Sequence, residues 1–174
     1  MQSSFVITFI SDDRPGLVEA LSEVISAHQG NWLESRLSQL AGKFAGLIRV
    51  SLPSEASDAL REALIGLSAA GIHVTITACE GEPAGEDNDR VIALTVLGPD
   101  RPGIVREVSA ALSRREINVV DLESYVSPAP MSSELLFHAR VEALVPDLDK
   151  LGELGDTLDQ IADEMHVDIT LEGP

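Results

Sequence analysis

Cysteine is almost missing from this 174-residue chain, in which Cys79 stands alone. A single thiol excludes an internal disulfide and agrees with a reducing compartment. Cys79 reads as a small buried apolar residue at a strand end. Aromatic residues are scarce too, at 3% against a hydrophobic fraction of 44%. The core therefore has to be built from Leu, Ile, Val and Ala, and the apolar fraction argues against global disorder. Positive charge is the third shortage: 12 Lys and Arg oppose 29 Asp and Glu, giving 12 − 29 = −17. Nucleic-acid binding draws on cationic side chains to displace counterions from phosphates, and no basic stripe is present. Direct contact with DNA or RNA is disfavoured. No apolar run approaches the ~18–20 residues of a membrane span, and no basic segment with a long apolar core opens the chain. The expectation is a soluble cytoplasmic protein with no membrane partner.

Catalytic patterns are missing as well. His28, His73, His138 and His166 form no H-x-x-x-H pair and have no cysteine or carboxylate at metal-ligand spacing. There is no G-x-S-x-G elbow, Walker loop or G-x-G-x-x-G after a strand. No enzyme, metal or cofactor is expected; an active site assembled only in space is the competing reading from another class.

What is present is a repeat. Asp13-Arg14-Pro15-Gly16 returns as Asp100-Arg101-Pro102-Gly103, 87 positions later. Each copy follows an apolar strand-like run, at residues 4–10 and 90–98, and opens an amphipathic one. Leu17, Leu21, Val24 and Ile25 form a helical stripe, matched by Ile104, Val108, Ala111 and Leu112. At the same offset Thr8, Val18, Ser22, Ser26 and Asn31 recur as Thr95, Val105, Ser109, Ser113 and Asn118, and Glu34 aligns with Asp121. An unbroken register over some 25 positions marks a duplicated unit.

Proline suits the first position of a helix, which predicts helices opening at Pro15 and Pro102 with Arg14 as a poor N-cap. The N–H groups of Gly16 and Leu17 would then face a ligand, and a helix start with free N–H groups suits a carboxylate or phosphate. Gly30 reads as a left-handed helix stop, and His28 in the last turn as structural. In the strand that begins at Asn31, Leu33, Ser35 and Leu37 alternate with Glu34, Arg36 and Ser38. Ala41-Gly42-Lys43 predicts a tight hairpin turn, returning with Phe44, Gly46, Ile48, Val50 and Leu52 on one face. A second helix from Pro53-Ser54 turns Leu60, Ala63, Leu64 and Leu67 inward, and Ile72, Val74 and Ile76 mark a last strand.

The second unit repeats this order. Val120, Leu122, Ser124 and Val126 face one way, and a longer turn spans Ser127–Met131 and beyond. A helix from Pro146-Asp147 turns Leu148, Leu151, Leu154 and Leu158 inward, with an acidic outer face. That face is solvated, or meets a basic partner. The order strand, helix, strand, strand, helix, strand predicts an α+β chain of two ferredoxin-like βαββαβ domains. Each has a four-stranded antiparallel sheet with two helices on one face. Their expected bounds are 1–80 and 90–174, joined by an acidic Gly- and Pro-rich linker at 81–89.

In this arrangement the turn and the asparagine lie at opposite ends of the first helix. A small ligand touching both has to take them from different units. The asparagine amide can donate and accept hydrogen bonds, which fits an amino acid; the bland alternative is that it holds a bend after the helix.

Two units with strand-Asp-Arg-Pro-Gly-helix-Asn-strand resemble tandem ACT domains, regulatory modules that commonly bind amino acids. With no enzyme attached, and with Asn31-Trp32-Leu33-Glu34-Ser35-Arg36-Leu37 and Ile117-Asn118-Val119-Val120-Asp121-Leu122 as second strands, the chain resembles the glycine cleavage system transcriptional repressor family. The resemblance implies a ligand site at Asp13, Arg14, Pro15, Gly16, Leu17 and Asn31, and at Asp100, Arg101, Pro102, Gly103, Ile104 and Asn118. It implies a small amino acid, glycine or serine, as ligand and a DNA-binding regulator as partner protein. The alternative is an amino-acid-sensing module that regulates a separate metabolic enzyme. Pairing of units within one chain or across a homodimer stays open.

Overall fold

The computed structural model describes residues 1–79, 90–130, 132–145 and 149–172. The chain divides into two compact units, Met1–Pro83 and Ala84–Pro174. The expected linker, the helix opening at Pro146-Asp147 with Leu148, and Met131 lie outside the described residues.

In the first unit, β1 (Gln2–Asp12), α1 (Leu17–Ala27), β2 (Asn31–Leu40), β3 (Lys43–Pro53), α2 (Ser57–Gly66) and β4 (His73–Ala78) follow one another. Short 3-10 turns at Ser54–Ala56 and Leu67–Ala70 flank α2. The second unit gives β5 (Arg90–Pro99), α3 (Ile104–Ser113), β6 (Asn118–Pro128), β7 (Leu135–Val145), α4 (Asp149–Met165) and β8 (Asp168–Glu172). The sheets run β2-β3-β1-β4 and β6-β7-β5-β8, every pair antiparallel. This is the expected α+β architecture, twice.

Strand alternation builds each core. Phe5, Ile7 and Phe9 of β1 and Ile48, Val50 and Leu52 of β3 are buried on one sheet face, because successive side chains point to opposite faces. Leu17, Leu21 and Ile25 of α1 and Leu60 and Leu64 of α2 close over them. The second core repeats the plan with Ile92, Leu94 and Val96 under Ile104, Val108, Ala111 and Leu112, joined by Leu154, Leu158 and Ile161 of α4. Each of these side chains larger than alanine, taken out of water, contributes about 1.5–3 kcal/mol. The two core clusters share no residue.

Several local expectations are corrected. β2 carries a bulge between Trp32 and Glu34, and β6 one between Val119 and Asp121. The extra residues are Leu33 and Val120, so Trp32 and Val119 take the helix-side positions and Leu33 is 47% exposed. A bulge inserts one residue against none and flips the alternation beyond it, which reading period two from Leu33 or Val120 misses. The left-handed residue that ends α1 is Gln29 (φ 59°), not Gly30. Gly30 is needed for a different reason: a Cβ there would lie 2.7 Å from Ile25 Cγ2 and 2.8 Å from its carbonyl oxygen. Cys79 is half-buried rather than buried, and its N–H donates to the Ser4 carbonyl. The β2–β3 turn is a two-residue hairpin with Ala41 and Gly42 both at positive φ, the geometry that matches strand twist.

Candidate functional site

The helices open two residues later than the proline rule places them. Gly16 (φ 89°) is the N-cap of α1 and Gly103 (φ 102°) that of α3, both left-handed and neither assisted by a side-chain hydrogen bond. Pro15 and Pro102 sit in the turn, exposed, one residue before each cap. The physical reason is that the chain has to leave the sheet and reverse onto it. A glycine at positive φ makes that reversal without a steric penalty, which proline cannot do. The N–H groups without an intrahelical acceptor are consequently those of Leu17, Val18 and Glu19, and of Ile104, Val105 and Arg106. The first intrahelical bonds, Ala20 N–H to Gly16 O (2.9 Å) and Glu107 N–H to Gly103 O (3.0 Å), confirm the frame.

At the first turn these N–H groups border an open cavity of about 260 Å³ lined by Asp13, Arg14, Gly16, Leu17, Val18, Glu19 and Phe44. Phe44, expected only as a residue of the sheet face, joins the wall of this cavity. Antiparallel pairing of β1 with β3 brings the β2–β3 hairpin beside the turn, and the Asp13 N–H donates to Gly42 O at 2.9 Å. The topology alone contains that signal. Asp12 pairs with Lys43 at the same place; the Lys43 hydrogen bond and charge hold its carboxyl below the usual carboxylate range. In the second unit the Asp100 N–H makes the matching bond to Leu135 O at 2.8 Å.

Arg14 faces its own unit. Its Nη2 donates to the Ala70 carbonyl at 2.6 Å, capping the 3-10 turn after α2 just before left-handed Gly71 (φ 79°). A cation at the end of a helix is favoured by the dipole and by the unpaired carbonyls. Replacing Arg14 by Ala is expected to destabilise the first unit by about 1 kcal/mol, an exposed charge-assisted hydrogen bond lying at the low end of its class. Urea unfolding followed by Trp32 fluorescence measures it.

Asn31 and Asn118 are the first residues of β2 and β6, as expected, and both are exposed. Neither amide has a hydrogen-bond partner among the described residues, which disfavours a bend-holding role. Asn118 lines a cavity of about 390 Å³ with Ser109, Ser113, Glu116, Ile117 and Val119, at the opposite end of α3 from the Asp100–Gly103 turn. The helix α1 has 11 residues, roughly 16 Å at 1.5 Å per residue. No small ligand reaches from a turn to the asparagine of the same unit.

Among the described residues, no group of three or more His, Cys, Asp or Glu is placed to hold a metal ion. No described helix is long and apolar enough to cross a membrane.

A four-stranded antiparallel sheet with two helices on one face, built twice and each time opened by a glycine-capped turn, defines a tandem of ferredoxin-like modules. The chain belongs to the ACT-domain family, whose pattern matches residues 3–76 and again residues 92–153. Among solved structures it is similar to an unknown protein from Galdieria sulphuraria, with 30% identity and a TM-score of 0.83, covering 100% of this chain and 99% of that one. It also shares its fold with a protein provisionally described as a glycine cleavage system transcriptional repressor. There the identity is 18% and the TM-score 0.74, with 99% of this chain and 97% of that one covered. Among curated proteins nothing matches.

Proposed function

We propose that this chain is a non-enzymatic regulator that binds a small amino acid, glycine or serine, at its helix-opening turns and thereby alters its contact with a partner protein. The observation that carries this reading is the uncapped start of α1 on an open cavity edged by Asp13. An amino acid bears both charges such a place can use. Its carboxylate accepts from the N–H groups of Leu17 and Val18, where the helix dipole favours an anion, and its ammonium meets the Asp13 carboxylate. The unpartnered amide of Asn31 or Asn118, supplied by a different unit from the turn, would complete the ligand's hydrogen bonds.

The tandem ACT architecture and the shared fold with a protein described as a repressor support a regulatory role without catalysis. The charge of −17 supports action through a DNA-binding protein rather than on DNA itself. Regulation requires the ligand to bind two states of the chain unequally. In this reading the protein works in the cytoplasm as the partner of a transcription factor.

A thermal-shift screen over the amino acids tests the ligand. At ~100 times its dissociation constant the true ligand stabilises the fold by roughly 2.7 kcal/mol. Trp32, beside Asn31, is expected to change its fluorescence, and an Asn31→Ala variant to respond weakly. A full panel that moves neither melting temperature nor fluorescence sinks the sensing reading. Affinity capture with and without the ligand tests the partner: a metabolic enzyme in place of a DNA-binding protein overturns the transcriptional part alone.

A further inference from the structure

Each sheet turns one face away from its helices, and the two open faces are chemically unlike. Residues opposite each other in an antiparallel pair point to the same side, so the register decides which side chains share a face. In the second unit Asp121 and Glu123 of β6, Glu142 of β7, and Asp168 and Glu172 of β8 join Arg140 on the open side. Five carboxylates thus meet one guanidinium there, and Arg140 already reaches Glu142 at 3.6 Å. On the open face of the first sheet Arg36, Lys43 and Arg49 outnumber Glu34 and Asp12. The charge of the second face is therefore a local property and not a share of the chain's general acidity. Asp121 and Glu142 stand directly opposite one another across β6 and β7. Like charges so placed destabilise a sheet, and an incoming cation relieves the repulsion.

The same face carries an aromatic platform. Tyr125 is 64% exposed, and Leu97, on the same row across the sheet, is 38% exposed. The Tyr125 ring stacks on His138 with centroids 4.5 Å apart and planes 8° from parallel, and His138 Nε2 is 2.9 Å from Ser127 Oγ. His138 takes one side of the ring and leaves the other open. An exposed aromatic already fixed by its neighbours loses little freedom on docking. Arginine suits both the ring and the carboxylates, because its guanidinium stacks on aromatic faces and forks onto carboxylates, while its stem covers apolar side chains. We propose that the open face of the second sheet docks an arginine-bearing surface of a partner protein, with one guanidinium on Tyr125 and others on Glu123, Asp121 and Glu142. Under the partner reading above, on which this assignment rests, the occupant is a DNA-binding protein, which presents cationic side chains to phosphates. Arginines held on this face are withdrawn from DNA.

A short peptide of alternating arginine and serine is the probe, titrated into the full chain at low, fixed salt. Tyr125 is the single tyrosine, so fluorotyrosine labelling yields one fluorine resonance, which is expected to shift on binding. Tyr125→Leu keeps the charge and is expected to weaken binding about two- to fivefold. Glu123→Gln combined with Glu142→Gln is expected to weaken it about tenfold or more. Asp159→Asn combined with Asp163→Asn removes the same charge from exposed positions of α4 and is expected to change the affinity less than about twofold. Circular dichroism checks that each variant is folded. An unmoved fluorine resonance, a Tyr125→Leu variant that binds as tightly as the native chain, or an α4 variant weakened as much as the sheet-face variant overturns the proposal. The peptide needs no amino acid in solution, so a blank amino-acid screen sinks the sensing reading and leaves this result standing.

Discussion

Replacing Leu21 by Ala is expected to cost the first unit about 2–5 kcal/mol, the range for removing a buried leucine and leaving part of its space empty. Leu21 is 0% exposed on the core face of α1, between Leu17 and Ile25. Its counterpart in sequence is Val108, but the most buried large side chain of α3 is Leu112, at 1% exposure in a core that shares no residue with the first. Leu112→Ala should lose a similar amount from the second unit. The single tryptophan separates the two cases, because Trp32 packs against the first core only. Denaturant unfolding followed at Trp32 should move its midpoint strongly in Leu21→Ala and little in Leu112→Ala, while the far-UV signal reports a loss in both. A Trp32 transition that shifts equally in both variants would contradict two separately built cores.

Gly46→Ala is the second large effect, expected at about 3 kcal/mol for a single added methyl. Gly46 lies in β3 opposite Leu37 of β2 and Phe9 of β1. A Cβ at this position meets the Arg36 carbonyl oxygen and lies 2.9 Å from Leu37 Cα. Both obstacles are main chain, so the strands have to part, and overpacking of this kind costs about 1–3 kcal/mol or more. Gly16→Ala makes the contrast: nothing lies within 4 Å of its added Cβ, so only the left-handed backbone opposes it, at roughly 1–2 kcal/mol. Chemical denaturation of the two variants under identical conditions should rank Gly46→Ala as the less stable.

Much of the fold was readable because two independent signals coincided. The period-two and 3.6-residue patterns gave the order of elements, and the constant offset of 87 gave their duplication. Neither signal carries information about a residue inserted into one strand alone, so the bulges at Leu33 and Val120 stayed hidden behind an apparently regular alternation. The helices start two residues beyond the prolines because the reversal that Gly16 and Gly103 perform overrides proline's preference for the first helical position. The asparagines, by contrast, lie at the strand starts where they were expected, since a residue just beyond a helix stop has few other places to be. The cavity wall at Phe44 and the tie from Arg14 to Ala70 were illegible for a different reason: both join segments distant in sequence, 30 and 56 positions apart.

Each helix-opening turn is fastened by one main-chain hydrogen bond to the hairpin of its own unit, from Asp13 to Gly42 and from Asp100 to Leu135. Those hairpins are not alike. The first has two residues between its strands, and the second has six, with Ala129 N–H donating to Glu134 O at its base. The mooring of the first turn is therefore a two-residue loop set by the positive φ of Ala41 and Gly42, and that of the second a longer one. Duplicate modules of one chain are thus anchored unequally, the first turn to the shortest of hairpins and the second to one with three times as many residues between its strands.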